Sequence, residues 1–429
     1  MDIVFSIIFG IFDSILNVWN YIWWLVLPLV LFLTLWDLRL KYLSDRYIKN
    51  IKWKFLEIRI PKENLKTPKA MEQIFAAAHS IYTKEIKGYD KYVKGKVAPW
   101  MSFEMVGHGG GIHFYLRIPA DYKNLMESAI FAQYGSAEIN EVEDYINSYP
   151  AILPNDTYQI WGTDYILAKD DPYPLQTYVF FEDKEEERRI DPLSVVAEAM
   201  SKLKSDETIW LQYMIRSTEP AISDYKNKAE EIINKILGRD KKAEKKSGLG
   251  GELYLFARNL IMAPAEHPTW GAEAKKEDAK RPDISSGEKD IVKAIENKVS
   301  KLAFECIIRF VYIDKKDAFS RLNIAAVSGA FKQFNTENLN ALKPNGDVTT
   351  NQSGWIAELF NAYKQKVEYL KKRKIYFNYR YRIMIPKASI YSIEELATLF
   401  HIPSAAVGAP KMRRLEAKKS EPPAELPIG

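Results

Sequence analysis

Trp100-Met-Ser-Phe-Glu-Met-Val-Gly-His-Gly-Gly-Gly-Ile-His-Phe-Tyr-Leu-Arg-Ile118 decides how the chain is read. Trp100–Val106 and Ile112–Ile118 are short runs rich in aromatic and branched residues, the composition of strands. Gly107-His-Gly-Gly-Gly111 between them supplies a tight hairpin turn. Upstream, Thr67-Pro68 is an N-cap followed by proline at the first helical position, and Met71, Ile74, Phe75 and Ala78 mark one face of the helix that follows. Before it, Leu56, Ile58 and Ile60 alternate with charges in the strand Trp53–Ile60. Downstream, Pro119-Ala-Asp-Tyr opens a helix to about Tyr134, and a last strand occupies Ala137–Tyr145. The order is β-α-β-β-α-β, the ferredoxin-like arrangement, over residues 51–150.

The same unit is written a second time over 151–345. Thr177–Glu182 reads as its first strand, and Asp191-Pro192 repeats the cap and proline ahead of Val195, Val196, Ala199, Met200 and Leu203. The strands Ile209–Ile215 and Phe304–Tyr312 follow, then a helix Ala318–Phe334 and a weakly marked strand near Leu339–Lys343. An insertion of about 218–301 separates the two middle strands. It holds helices at Asp224–Leu237 and Glu288–Leu302, the latter with a capping box in Ser285-x-x-Glu288. Its polar stretches 239–251 and 271–286 read as mobile. An extension over 350–404 reads as helix Trp355–Lys374, strand Ile375–Ile385 and a short helix Ile393–Phe400 capped by Ser392. Residues 405–429 are proline-rich and charged, a flexible tail. The fold class expected is α+β. The strands Ile209–Ile215 and Phe304–Tyr312 carry few charges, so their sheet needs cover on both faces: one from the unit's own two helices, the other from the C-terminal elements, the insertion helices or a second copy.

At the other end, Ser14 to Trp36 contains no charged residue, and about 20 apolar residues suffice to cross a bilayer. A span of about 15–36 within an anchor of 1–40 is expected, with Trp19, Trp23 and Trp24 towards one interface and Trp36 at the other. No basic region precedes the run and no small-residue cleavage site follows it, unlike a signal peptide. Met1–Ser14 carries only Asp2 and Asp13, whereas Arg39, Lys41, Arg46, Lys49, Lys52 and Lys54 follow the span. The expected topology is single-pass, N-terminus outside and C-terminal domains cytoplasmic. The net charge of +5 fits a surface near anionic lipid. Cys306 is the one cysteine, so no disulfide framework exists within the chain.

The common catalytic patterns are absent from the sequence. The only Gly-Lys pair, Gly95-Lys96, is followed by valine, so no P-loop is present. There is no Gly-x-Ser-x-Gly elbow and no His-Glu-x-x-His. His108 and His113 flank the glycine turn without a third ligand. Glu138, Glu141, Glu143 and Asp144 read as a solvated strand face. No enzyme, metal or cofactor is expected. One stretch, Lys371-Lys-Arg-Lys-Ile-Tyr-Phe-Asn-Tyr-Arg-Tyr-Arg382, mixes cations and aromatics. Read as a strand, it puts Arg380 and Arg382 on one face and Phe377, Tyr379 and Tyr381 on the other. With Lys371, Lys372, Arg373 and Lys374 it is a candidate nucleic-acid contact, since single strands are held by stacking beside cations. A half-buried strand with its aromatics inward accounts for the same pattern more simply.

Several stretches resemble the membrane-anchored N-terminal region of bacterial type IV secretion and conjugative DNA-transfer ATPases. They are Trp100–Arg117, Ala132-Gln-Tyr-Gly-Ser-Ala-Glu-Ile139, Gly329-Ala-Phe-Lys-Gln-Phe-Asn335 and Glu394-Glu-Leu-Ala-Thr-Leu-Phe-His-Ile-Pro403, with a Pro-Pro linker at Glu421–Pro427. The resemblance covers most of residues 40–429 and its motifs are structural. This chain stops where the motor of such proteins begins. The resemblance therefore implies a non-enzymatic platform in the cell inner membrane. It implies an AAA-type ATPase as partner, self-association matching a ring, and DNA contacted indirectly or weakly. The alternatives are a membrane-tethered sensory or ligand-binding module and, more remotely, a hydrolase with an unfamiliar site.

Overall fold

A computed structural model describes residues 2–60, 66–181, 191–239, 285–351, 361–385 and 388–403. The expected mobile stretches 239–251 and 271–286 fall almost wholly outside these residues, as does the tail from 405. Helix α1 runs unbroken from Asp2 to Asn50 with Pro28 inside it. Trp19–Asn50 is long and apolar enough to cross a membrane. The remaining elements form a nine-stranded antiparallel sheet with helices on both faces.

In chain order they are β1 (Trp53–Arg59), α2 (Pro68–Ala78), α3 (Gly88–Tyr92), β2 (Met101–His108), β3 (Gly111–Pro119), α4 (Lys123–Gln133) and β4 (Glu138–Glu141). Then come β5 (Tyr158–Leu167), α5 (Ser194–Ser201), β6 (Thr208–Arg216), α6 (Glu219–Ile236), α7 (Ser286–Val299), β7 (Ala303–Lys315), α8 (Arg321–Phe331) and β8 (Leu342–Pro344). The chain continues through α9 (Asn361–Arg380), β9 (Ser389–Ser392) and α10 (Ile393–Leu399). The spatial strand order is β4-β1-β3-β2-β6-β7-β5-β8, with β9 also on β7. Each half thus repeats one order, fourth-first-third-second, and the halves meet edge to edge where β2 pairs β6 from Met101↔Ile215 to His108↔Thr208.

The hairpin expected over Trp100–Ile118 forms as β2 and β3. His108 faces Gly111, and Gly109 and Gly110 have φ of +55° and +82°, the left-handed pair that a two-residue turn demands. Two expected strands are absent. Of the expected strand Thr177–Glu182, the described residues Thr177–Phe181 form none; Tyr178–Phe180 is a 3-10 turn. Backbone amides here serve α10 instead: Tyr178 N–H donates to Thr398 Oγ1 and, just before the segment, Leu175 N–H donates to Glu395. The first strand of the second half is β5, Tyr158–Leu167. Ile375–Ile385 is likewise no strand, because α9 continues to Arg380. Helical spacing sets Ile375, Tyr376 and Tyr379 together against Trp210, Val311 and Ile313, and that burial overrides their strand propensity.

One face of the sheet is covered by α2, α4, α5, α8 and α10, which contribute Phe75, Ile130, Met200, Phe331 and Leu399 to the main core. Phe400, just past α10, touches Phe103 of β2, Phe114 of β3 and Tyr213 of β6 at ring distances of 5.4, 6.1 and 5.4 Å. The other face carries α9 and the 145–153 segment. The chain's own C-terminal elements therefore bracket the β2–β6 seam from both sides, and the face whose cover suggested a second copy is closed within one chain.

Capping follows the sequence signals in part: Thr67 stands at the N-cap of α2 without a side-chain cap bond, and α5 starts at Ser194 with Leu193, not Asp191, at its N-cap. Ser285–Glu288 and Ser392–Glu395 both form reciprocal capping boxes. Inside α10, Glu395 also pairs with Lys298 of α7 at 3.0 Å, both side chains fully buried. His401 Nε2 lies 3.0 Å from Asp191. The Leu-Phe-His-x-Pro segment is thus a lock between sheet and helices.

Candidate functional site

A single row of side chains crosses the second face of the sheet. Strand register aligns Glu57, Tyr115, Glu104, Gln212, Arg309 and Asp164, one from each of β1, β3, β2, β6, β7 and β5. Gln212 donates to Glu104 at 3.0 Å, and Arg309 donates to Gln212 at 3.1 Å and to Asp164 at 2.8 Å. The end of α9 seats on this row. Arg309 and Gln212 donate to the carbonyls of Asn378 and Tyr379 at 2.9 and 3.3 Å, so a cation meets the negative end of the helix.

Arg382, at φ +50° just past α9, completes the cluster. It forks onto Glu104 at 2.7 and 3.0 Å and onto Asp144 at 2.6 and 3.1 Å. Ser102 and Tyr145 also donate to Glu104, at 2.6 and 2.8 Å. Burial alone would raise the Glu104 carboxyl, but the charge and hydrogen bonds of Arg382 outweigh it and hold the carboxyl below its usual range. Burial, with the nearby Arg382 charge, pushes Arg117 down to about 9. Its guanidinium stacks 3.7 Å above the Trp53 ring.

The expected nucleic-acid residues are therefore divided. Arg382 is 2% exposed and committed to two carboxylates, so it is not a surface contact. Asp144, expected to be solvated, is one of its partners. Lys371 donates to the Gly346 carbonyl and half-buried Lys372 to Gln159. Burial lowers the Lys372 ammonium. Arg373 and Lys374 are exposed, and Arg380 is half-buried. These last three share the wall of a cavity of about 450 Å³ with Ile152, Leu153, Tyr376, Phe377 and Tyr381. Phe377 and Tyr381 lie one helical turn apart with ring centroids 4.6 Å apart, and they are 52% and 58% exposed. Arg380 donates to the Pro150 carbonyl and to Tyr376 Oη, tying helix to loop. Helical rather than extended geometry thus puts Phe377 and Tyr381 outward and Tyr379 inward, splitting the aromatics that a strand would have kept on one face.

The row itself was missed in the sequence. Its signal was there: Glu104, Gln212 and Arg309 each interrupt an apolar strand at its middle. A polar residue in a buried run calls for partners.

The remaining site readings resolve simply. His113 bonds Glu57 at 2.8 Å and His108 bonds Tyr149 at 3.2 Å, so the two do not converge. Among the described residues no three metal-ligating side chains cluster. Cys306 is buried, and burial pushes its thiol well up. Trp19, Trp23, Trp24 and Trp36 all project outward from α1. Comparison with curated proteins gives no match. Residues 47–414 match the family described as "Domain of unknown function (DUF8128)", and the chain belongs to that family.

Proposed function

We propose that this protein is a membrane-anchored, non-enzymatic docking platform, with the outer face of α9 as its docking surface. In this reading α1 crosses the cell inner membrane with its N-terminus outside, and two ferredoxin-like units joined at β2–β6 stand in the cytoplasm. The strand order repeated in each half supports the ferredoxin-like description. The exposed, uncharged helix surface from Trp19 to Trp36 supports the anchor.

The observation that carries the docking reading is the Phe377–Tyr381 pair, held in solvent beside Arg373, Lys374 and Arg380. Large aromatics and arginines around a pocket are the composition of interface hot spots. The helix beneath them is fixed by Arg309 and by Tyr379, so little ordering is required on binding. The partner proposed is an AAA-type ATPase of a type IV secretion-like DNA-transfer machine, on the strength of the sequence resemblance. Ring-matched self-association remains part of the proposal. The cavity of about 450 Å³ also favours a second reading, a tethered module that binds an anionic aromatic ligand there.

Co-purification of the full chain with an ATPase encoded beside it, and its loss in Phe377→Ala/Tyr381→Ala, tests the platform. Intrinsic ATP hydrolysis by the purified chain above background defeats the non-enzyme claim. Tight binding of a small anion with no protein partner favours the second reading.

A further inference from the structure

The chain between β1 and β2 holds a surface that neither the sheet nor α9 uses. Residues 84–96 carry Lys84, Lys87, Lys91, Lys94 and Lys96 against Glu85 and Asp90. Their short helix α3 contributes no buried residue. Tyr89, Tyr92 and Val93 are 66%, 40% and 47% exposed.

This segment is docked on α1 at one level. The Tyr92 ring lies 6.3 Å from that of Trp36, and Arg39 donates to the Tyr92 carbonyl at 3.0 Å. The Arg39 guanidinium lies 5.3 Å from the Trp36 ring. Gly95, at φ +67°, lies so close to α1 that a Cβ there would sit 2.4 Å from the Leu43 carbonyl carbon, so no other residue fits that crossing. Trp36 is also where the uncharged run ends. Side chains from Trp19 to Trp36 are nearly all exposed, and partial burial against the body sets in from Leu40. On the anchor reading, Trp36 is at the headgroup level. Its contacts then bring Tyr92 to the same depth.

We propose that residues 84–96 form a second membrane contact that binds anionic lipid headgroups, with Tyr89, Tyr92 and Val93 entering the interface and the lysines meeting lipid phosphates. It rests on the anchor reading. Aromatic rings beside lysines suit that layer, where one end of a side chain is apolar and the other wet. A single helix lets the body swivel; a second contact at its foot fixes the angle at which the sheet stands on the membrane.

The test uses the full chain with Tyr89→Cys, nitroxide-labelled, reconstituted in phosphatidylcholine vesicles with and without phosphatidylglycerol. A Trp24→Cys label reports the anchor, and buried Cys306 is shielded from the reagent. Power saturation against oxygen and a water-soluble nickel chelate gives depth. The expected result is Trp24→Cys in hydrocarbon throughout. Tyr89→Cys should be shielded from the chelate in phosphatidylglycerol vesicles and several-fold more accessible after Lys87, Lys91, Lys94 and Lys96 are changed to Gln. Tyr89→Cys in water while Trp24→Cys is in lipid overturns the second contact and leaves the anchor standing. Both labels in water overturn the anchor, and the contact with it. Shielding of Tyr89→Cys that ignores both lipid charge and the lysines shows that anionic headgroups are not recognised there and overturns the proposal.

Discussion

Arg382 grips Glu104 through two hydrogen bonds, 2.7 Å from Nε to Oε1 and 3.0 Å from Nη2 to Oε2, across 278 residues of chain. Both side chains are almost wholly buried, so each needs the other. Removing one leaves an uncompensated interior charge, at about 3–5 kcal/mol. Arg382→Ala should therefore cost about that much in denaturant unfolding, and Glu104→Gln/Arg382→Met should recover part of it. A loss under about 1 kcal/mol for Arg382→Ala would count against the row as an organiser of the sheet.

The same pair sets an acid limit. The Glu104 carboxyl is held below its ordinary value of 4.5, and Glu57 is also lowered, first by its hydrogen bond to His113. A carboxyl depressed in the fold stabilises fully above its unfolded value, and that contribution is lost as pH falls through the folded value. Stability should hold down to about pH 4.5 and fall below it. Glu104→Gln should flatten the decline, at the cost of lower stability near neutrality. An unchanged profile in urea melts would remove Glu104 from the account.

On the opposite face of the seam, Phe400 is 1% exposed among Phe103, Phe114 and Tyr213. Truncating a buried phenylalanine costs about 3–5 kcal/mol. Phe400→Ala should lower the melting midpoint and open the β2–β6 region to proteolysis. Val93→Ala, being exposed, should change stability by no more than about 0.5 kcal/mol.

The outer face of α9 behaves oppositely. Phe377→Ala and Tyr381→Ala should leave unfolding within about 1 kcal/mol of the parent, since both rings are more than half exposed. Loss of a partner or of a single-stranded oligonucleotide should nevertheless follow, at about 1–3 kcal/mol for each stacked base lost in the latter case. Isothermal titration with each candidate decides which binds. Retained affinity for both in the double variant would clear this face of any docking role.

Orientation is testable through charge. Changing Arg39, Lys41 and Arg46 to Glu should reduce the fraction of chains with cytoplasmic C-termini, read by a reporter fused at Gly429. A parent reporter active only after export would reverse the proposed topology.

What could be read in advance followed local chemistry. Gly109 and Gly110 announced the turn, Ser285 and Glu288 the capping box, Ser392 a cap, and the uncharged run before Asp37 the long helix. β5 escaped because Gly162 and Asp164 break its apolar alternation; Asp164 is there for Arg309, a partner 145 residues away. Ile375–Arg380 looked like strand because its residues favour strands, and only the sheet beneath them, unseen in one dimension, makes them helical. The cation cluster at 371–382 was visible as composition. Its division into a buried clamp at Arg382 and an open surface at Arg373 and Lys374 depended on helical phase and on Glu104.

Synthesis runs from the N-terminus, so the bracketing of the seam by C-terminal elements orders the birth of the molecule. Glu104 emerges from the ribosome 278 residues before Arg382 exists to neutralise it, and Phe103 long before Phe400. A nascent chain that has reached the end of β6 is a half-covered sheet with an open edge, the kind of surface that recruits stray strands. Closure by such distant partners is also slow. Ribosome-stalled chains that extend just far enough beyond Arg216 to bring β6 out of the exit tunnel should be cut readily within β2 and β3. Chains stalled far enough beyond Pro403 to clear the exit tunnel should resist; equal resistance in both would show that the seam seals without its late-arriving clamps.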